Sequence, residues 1–153
     1  MNKLLKLYNQ CAVLPLGKRI FSKLVCLKAP YFGTIRPVFQ QLRPGCCAIR
    51  MKNRRAVHNH IGSVHAIAMC CLAELAAGTL LEVSLAPGMR WIPRGMQVEY
   101  LKIARTDLTA FCEMPVESLD RPRELPITVR VEDIHQEEVF LAVVAMHITE
   151  RRR

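Results

Sequence analysis

The sequence predicts an α+β domain in which an antiparallel sheet packs against one buried helix. The first observation is a run from Val64 to Leu81 that is rich in Ala and Leu and apolar on every face, as a buried helix is. The second is a set of segments between Met96 and Ile148 that alternate apolar and polar residues, or are apolar throughout, as strands are. Short turns separate these segments, which favours antiparallel pairing.

Length and composition indicate one folded domain. The chain has 153 residues, of which 51% are hydrophobic and 23% charged, and this excludes a disordered chain. Its seven cysteines form no CxxC pair and include two adjacent pairs, Cys46-Cys47 and Cys70-Cys71. This pattern fits neither a zinc site nor a disulfide framework, so we expect reduced, mostly buried thiols in a cytoplasmic protein.

Residues 1–30 are predicted to be an N-terminal helical extension of one or two helices, interrupted at Pro15 and Gly17. Lysines break the apolar run that a signal peptide would need. A basic amphipathic helix of this kind can lie on a membrane, but we expect this one to pack across the edge of the fold.

Residues 31–150 are predicted to form the main domain, followed by a basic tail at 151–153. A long helix ends near Leu85, before Pro87-Gly88. The sixth strand is apolar on both faces, which predicts a central position in the sheet. The expected strands are Tyr31–Leu42, Cys46–Lys52, Met96–Ile103, Leu108–Val116, Ile127–Val131 and Val139–Ile148.

Charge is distributed unevenly along the chain. The part before Glu74 contains twelve of the 22 Lys and Arg residues and none of the 13 Asp and Glu residues. Such asymmetry suggests an anionic partner, such as a phosphate-bearing ligand, a membrane surface or nucleic acid; the alternative is a solvated basic face.

The long helix carries two ionisable groups among apolar neighbours, His65 near its start and Glu74 in its middle. Ser63 is the expected N-cap. Nine positions separate His65 from Glu74, so they point to opposite sides and lie about 13 Å apart along the axis. They cannot share one site within one helix, but two chains related by a two-fold axis would bring His65 of one chain to Glu74 of the other. The spacing therefore predicts a homodimer with two composite sites.

The motif Asn59-x-x-Gly62-x-x-His65, with Glu74 nine residues later, resembles acyl-CoA thioesterases of the phenylacetate-pathway type. These enzymes have the hotdog fold, a curved antiparallel sheet wrapped around a central helix, and the predicted order of elements is similar to theirs. The amino-acid sequence of residues 65–74 looks closest to a branch of hotdog proteins that is classified as a domain of unknown function.

The resemblance implies roles for five residues. Glu74 would be the nucleophile, or the base that activates water, and the Ala66 amide would be the oxyanion donor at the helix N-terminus. Asn59 would orient a water or the loop that contains Gly62, and His65 would hydrogen-bond near the thioester. The substrate would be an acyl-CoA or an acyl-carrier protein, with coenzyme A as part of the substrate and no separate cofactor.

Two departures from the family pattern concern the acyl side of the site. Ala66-Ile67 replaces the usual Gly-Gly after the histidine, and Ile67 adds bulk where acyl chains pass. No supporting Ser or Thr of the family can be placed between Arg90 and Gly95.

Basic residues near the motif are candidates for binding the phosphates of coenzyme A. We expect no nucleic-acid binding, since aromatic residues are only 6% of the chain and no helix-turn-helix or zinc pattern is present. A metal site from His58, His60 and His65 lacks a nearby Cys or carboxylate to complete it. The phosphate-binding candidates are Arg54, Arg55, Lys102 and Arg105, with Arg50 and Lys52 nearby.

Other interpretations remain open at this point. Glu74 can be a structural group that bonds a neighbouring chain, and His65 can simply cap the helix. A non-catalytic module that binds acyl-CoA or lipid fits the same pattern. A hydratase or dehydratase of the same fold also uses one His and one acid, although the spacing to Asn59 fits thioesterases better.

Overall fold

The computed structural model describes residues 2–115 and 119–151. Two short 3-10 helices, Pro30–Thr34 and Arg55–Val57, accompany the regular elements. The regular elements are α1 (Lys3–Ala12), α2 (Gly17–Lys28), β1 (Val38–Arg43), β2 (Cys46–Met51), α3 (Ala66–Ser84), β3 (Met89–Tyr100), β4 (Leu108–Glu113), β5 (Arg123–Glu132) and β6 (Glu138–Glu150).

The strands form one sheet in the order β1-β2-β4-β5-β6-β3, with every neighbouring pair antiparallel. Helix α3 contacts all six strands, so the sheet curves around it. The predicted α+β architecture is confirmed, and so is the central position of the sixth strand, which pairs with both β5 and β3.

Helix α3 is apolar because it is the core of the domain. Its mean hydropathy of 1.8 and its length of 19 residues would suit a membrane span, yet 67% of it is buried inside the protein. Leu72, Ala76 and Leu80 are fully buried at the four-residue spacing of one helix face. The long apolar run is therefore explained by burial under the curved sheet.

The N-terminal helices pack at the β1 edge of the sheet, as predicted. The rings of Tyr8, Phe21 and Phe39 stack edge to face at centroid distances of 5.1 and 5.0 Å. The buried Ser22 hydroxyl accepts a hydrogen bond from the Phe39 backbone N–H at 3.0 Å. These contacts join α1, α2 and β1 into one packed layer.

Several predicted boundaries are wrong. Tyr31 lies in a 3-10 helix that Pro30 begins, so β1 starts only at Val38. Strand β3 starts at Met89, earlier than predicted, because an edge strand tolerates Pro93 and a bulge at Gly95.

The strand and loop boundaries of the second half also differ in two places. The predicted loop 117–126 is shorter, because β5 already starts at Arg123. Consecutive strands β3 and β4 are not neighbours, since β3 pairs with β6 alone. The predicted strand end at Val116 and the last two residues of the basic tail lie outside the described residues.

All seven cysteines are free thiols, five of them buried and two partly buried. The expectation of reduced, mostly buried thiols is therefore confirmed.

Candidate functional site

Helix α3 directly follows a compact loop, and His65 is its N-cap. The His65 Nδ1 accepts a hydrogen bond from the Ile67 backbone N–H at 3.1 Å. The prediction that Ser63 is the N-cap is wrong: Ser63 is buried, and its hydroxyl accepts from Asn59 instead. Because Nδ1 is an acceptor, the proton of a neutral His65 is on Nε2, which is free to act as a donor from this exposed side chain.

Asn59 ties the loop before the helix. Its Oδ1 accepts from the backbone N–H groups of Ile61 and Ser63, both at 3.1 Å, and its Nδ2 donates to the Ser63 hydroxyl at 2.8 Å. Gly62 has a positive φ of 76°, which favours glycine at the tip. Of the two roles predicted for Asn59, these contacts fit orientation of the loop.

The Ala66 N–H is the first amide of α3 and has no acceptor inside the helix. It makes no backbone hydrogen bond elsewhere in residues 2–115 and 119–151. The neighbouring Ile67 amide is bonded to the His65 ring. One open donor therefore remains at the positive end of the helix dipole, which is the geometry an anion needs.

Glu74 lies half-buried in the middle of α3 and lines a cavity of about 1360 Å³. Its carboxylate has no hydrogen bond or ion pair to any of the described residues. The walls are mainly apolar side chains from α1, α2 and α3: Leu4, Leu5, Leu7, Leu24, Val25 and Leu75. Lys3, Lys28 and Arg151 also line the cavity, so its wall is basic as well as apolar. A carboxylate that faces such a cavity without a hydrogen-bond partner is available to contact a ligand.

The charge of Glu74 affects a neighbouring thiol. Burial, with a contribution from the Glu74 carboxylate, raises the pKa of Cys71 to about 12. Cys71 therefore stays a thiol at neutral pH and is not a nucleophile.

The far end of the same cavity contains a second carboxylate, Glu82. Its Oε2 accepts from Trp91 Nε1 at 3.0 Å, and Asn2 Nδ2 donates to its backbone carbonyl at 2.7 Å. Gly78 lies between the two acids, and a Cβ there would be 2.6 Å from the Trp91 ring. Glycine is therefore what lets the ring lie against the helix.

Sequence reasoning missed this far end and the contribution of α1 and α2 to the cavity. The available signals were Glu82, eight residues after Glu74 and so about 80° from it around the helix, and Trp91, the only tryptophan in the chain. Neither signal indicates that the N-terminal helices fold back over α3.

A single chain does not bring all the predicted catalytic residues together. Asn59, Gly62, His65 and Ala66 cluster at the start of α3, whereas Glu74 is nine residues along the helix from His65. The helix rise of 1.5 Å per residue separates the two groups by about 13 Å along the axis.

The predicted phosphate-binding residues lie near the start of α3 but do not share one pocket. Arg54 donates to the Thr34 carbonyl, and Lys102 forms an ion pair with Glu137 at 2.9 Å. The Arg105 carbonyl accepts from Asn53. Arg55 and the side chain of Arg105 are exposed.

No group of three or more His, Cys, Asp or Glu side chains among the described residues is arranged to hold a metal ion. His58 hydrogen-bonds through Nε2 to the Asn53 side chain, and His60 is exposed.

Comparison with known proteins identifies the family. Residues 17–148 match the family model described as "Domain of unknown function (DUF4442)". The chain belongs to this family. The match includes α2 and every strand, so the DUF4442 domain covers most of the chain. No protein with a curated description matches it significantly.

Solved structures show the fold. A structural-genomics crystal structure is 40% identical and covers 97% of both chains, with a TM-score of 0.85. A Pseudomonas aeruginosa protein described as a probable thioesterase is 22% identical over 90% of this chain and 97% of its own, with a TM-score of 0.78. A hypothetical thioesterase from Streptococcus pneumoniae, solved with coenzyme A, is 18% identical over 76% and 91%, with a TM-score of 0.63. The DUF4442 chain therefore has the hotdog fold of these thioesterase-like structures.

Proposed function

We propose that this DUF4442 protein is a thioesterase that hydrolyses acyl-CoA or acyl-carrier-protein thioesters. The observation that carries the proposal is the Glu74 carboxylate, which lacks a partner among the described residues at the wall of a large apolar cavity. The open Ala66 amide at the helix N-terminus supplies the second element that thioester hydrolysis requires, a donor for a developing oxyanion. The thioesterase descriptions of its structural neighbours support this reaction class.

In the proposed mechanism Glu74 removes a proton from a water molecule, whose oxygen attacks the thioester carbonyl carbon. The carbonyl oxygen becomes an oxyanion that the Ala66 N–H stabilises, helped by the helix dipole. Collapse of the tetrahedral intermediate breaks the C–S bond, and the leaving thiolate takes the proton from Glu74. The products are a carboxylic acid and the free thiol. Direct attack by Glu74, through an anhydride, gives the same products.

We propose that the site is composite, with Glu74 from one protomer and Asn59, His65 and Ala66 from its partner. Support comes from β3, an edge strand of 12 residues that pairs only with β6 on one side. Its other edge is open in the described chain, and its side chains Ile92 and Tyr100 are more than half exposed. The stretch of β3 after the bulge at Gly95 has an open edge that can pair with a second chain, so we place the homodimer contact there.

We propose that the acyl chain occupies the cavity between Glu74 and Glu82. Eight residues of helix separate the two acids, which is about 12 Å, a distance that about ten backbone-type bonds span when extended. This favours acyl chains of medium length. The phosphates of the CoA moiety would contact the exposed Arg55 and Arg105 near the helix N-terminus, with Lys102 beside them.

The first test measures thiol release from acyl-CoAs of increasing chain length, using the wild type, Glu74→Gln and Glu82→Gln. We expect the wild type to turn over at least one substrate and Glu74→Gln to lose about 10²-fold or more, because a general base is removed. Glu82→Gln makes the same change on the same helix and cavity, so it is the matched control and should retain activity within about tenfold.

Binding without turnover would identify the alternative function. If no variant releases thiol, yet acyl-CoA shifts the fluorescence of Trp91 at the cavity wall, the protein is a binding module and the enzyme proposal is wrong. Equal losses in the two glutamine variants would show that Glu74 has no special chemical role.

A further inference from the structure

The corner between α1 and α2 exposes an unusual group of large apolar side chains. Val13, Leu14 and Leu16 are 82%, 54% and 68% exposed, and Ile20 follows on the first turn of α2. We call the segment Val13–Leu16 the apolar corner. Scattered exposed apolar residues are common, but a contiguous group at the tip of a hairpin indicates a contact surface.

The backbone holds this corner in one tight conformation. Leu16 has a φ of 59°, in the left-handed region that bulky residues rarely adopt. A Cβ at position 17 would be 1.6 Å from the Cys11 carbonyl oxygen, so only glycine fits there. The sharp turn therefore fixes the apolar side chains outward at the cost of a strained leucine.

A basic pocket of about 660 Å³ adjoins the corner and shares Leu14 and Leu16 with it. No carboxylate of residues 2–115 or 119–151 lines this pocket. Its basic side chains come from α2, the segment before β1, strand β2 and the loop after it: Lys18, Arg19, Arg36, Arg50, Lys52 and Arg54.

Much of this positive charge is not neutralised within residues 2–115 and 119–151. Arg50 pairs with Asp107 at 2.7 Å, but Arg36 and Lys52 have no ion pair there. The Arg54 Nε is buried without an acceptor in the same described ranges. Burial, and then the charge of Arg36, lower the pKa of Arg54, as expected when two cations lie close together without an anion.

We propose that the apolar corner and the basic pocket together bind the surface of an anionic lipid bilayer. The apolar side chains enter the boundary between headgroups and acyl chains, and the basic pocket takes a lipid phosphate. A second copy of the chain fits less well, because a two-fold contact would oppose two basic pockets. Nucleic acid also fits less well, since no aromatic side chain lines the pocket and the apolar corner would gain no partner.

This docking surface is tested separately from the thioesterase proposal, although the sequence also made Arg50, Lys52 and Arg54 candidates for binding the phosphates of coenzyme A. It lies at the α1–α2 corner, and none of the residues that line the basic pocket also lines the cavity that contains Glu74. Its test therefore needs no activity measurement.

The experiment measures cosedimentation of the full chain with vesicles of phosphatidylglycerol and phosphatidylcholine in equal parts, and with pure phosphatidylcholine vesicles. We expect binding to the anionic vesicles only, and weaker binding as salt is raised. Arg36→Gln with Lys52→Gln should lower the affinity by about fivefold for each charge removed. The matched control, Arg43→Gln with Arg121→Gln, removes two exposed charges that belong neither to the basic pocket nor to β3, and should leave binding nearly unchanged.

A second pair of variants tests the apolar corner. Val13→Ser with Leu16→Asn removes two apolar side chains, and Asn suits the left-handed conformation at position 16, so the protein stays folded. We expect binding to fall by at least about tenfold. Leu27→Ser is the control, because Leu27 is 78% exposed at the opposite end of α2.

Four results would overturn the proposal. The first is that the wild type does not cosediment with anionic vesicles, and the second is that controls and test variants lose binding equally. The third is that added coenzyme A releases the protein from vesicles, which would assign the pocket to a soluble phosphate ligand. The fourth is that, without lipid, the corner variant has a lower molecular mass than the wild type in sedimentation equilibrium, which would assign the corner to contact between copies.

Discussion

Helix α3 carries two glutamates that line one cavity, and their surroundings differ. Glu82 accepts a hydrogen bond from Trp91 and is held beside Asn2, whereas Glu74 has no partner among the described residues. Both line the same apolar cavity. The same side chain thus has a structural role at one end of the cavity and remains chemically available at the other. The comparison teaches that the pairing of a carboxylate, more than its burial, separates a structural acid from a candidate base.

The largest effect on activity should come from removing the Ala66 amide, which is the proposed partner of Glu74 in catalysis. Proline is well tolerated at the first position of a helix, and His65 already has the extended backbone that a residue before proline prefers, with ψ 137°. Ala66→Pro should therefore fold normally while lacking the N–H. We expect kcat to fall about 10²- to 10³-fold, as when one oxyanion donor is lost. Ala66→Ser keeps the amide and is the control.

The same variant tests whether the site is shared between protomers. When Ala66→Pro and Glu74→Gln chains are mixed and exchanged, each mixed dimer regains one intact site if the residues come from different chains. Activity per chain should then recover to about a quarter of wild type, since about half the dimers are mixed. No recovery despite demonstrated exchange would contradict the composite site.

Replacing each glutamate by alanine should affect stability and activity in opposite order. The Glu82 variant should lose more stability, and the Glu74 variant should lose more activity. Glu82→Ala leaves the Trp91 N–H without its acceptor, so we expect the free energy of unfolding to fall by about 1–3 kcal/mol. Glu74→Ala removes a carboxylate that has no partner in the described structure, so we expect a change within about 0.5 kcal/mol or a small gain. Urea unfolding followed by circular dichroism measures both. A loss at Glu74 as large as at Glu82 would mean that Glu74 is structural.

Gly78 lies between the two acids, and a substitution there tests whether the Trp91 ring holds Glu82 in place. In Gly78→Ala the new methyl group meets the Trp91 ring, which must move away from its bond to Glu82. We expect a loss of about 1–2 kcal/mol, because overpacking exceeds the helix propensity that alanine gains. Fluorescence of the single tryptophan reports the ring movement directly. An increase in stability with an unchanged fluorescence spectrum would show that the cavity wall has room for the added methyl group.

The smallest effect is expected at the helix N-cap. His65→Ala removes the acceptor for the Ile67 N–H, which should lower stability by about 1 kcal/mol. His65→Asn can restore the cap, so it separates capping from chemistry. If the proposed role near the thioester is correct, Asn recovers the melting temperature more fully than it recovers kcat.

The sequence by itself determined the class of fold and supplied the candidate residues on which the proposed site depends. The apolar run of α3, the period of two in the later strands and the isolated Glu74 are local patterns, and local physics fixes how they are read. The hotdog architecture was indicated by the resemblance of residues 59–74 to hotdog thioesterases, and the solved structures show it. The placement of the cysteines as buried thiols was also readable, from their number and spacing.

Only the tertiary structure decided what surrounds these elements. Ser63 is not the N-cap because its hydroxyl accepts a hydrogen bond from the Asn59 side chain. The cap is therefore His65, which the local sequence pattern left only as an alternative. The extension of β3 through Pro93 depended on its place at the sheet edge, where a missing N–H costs no ladder bond. The cavity exists because α1 and α2 fold back across α3, and the contacts involved are distant in sequence. Periodicity reports which face of an element is buried, but it does not report which other element buries that face.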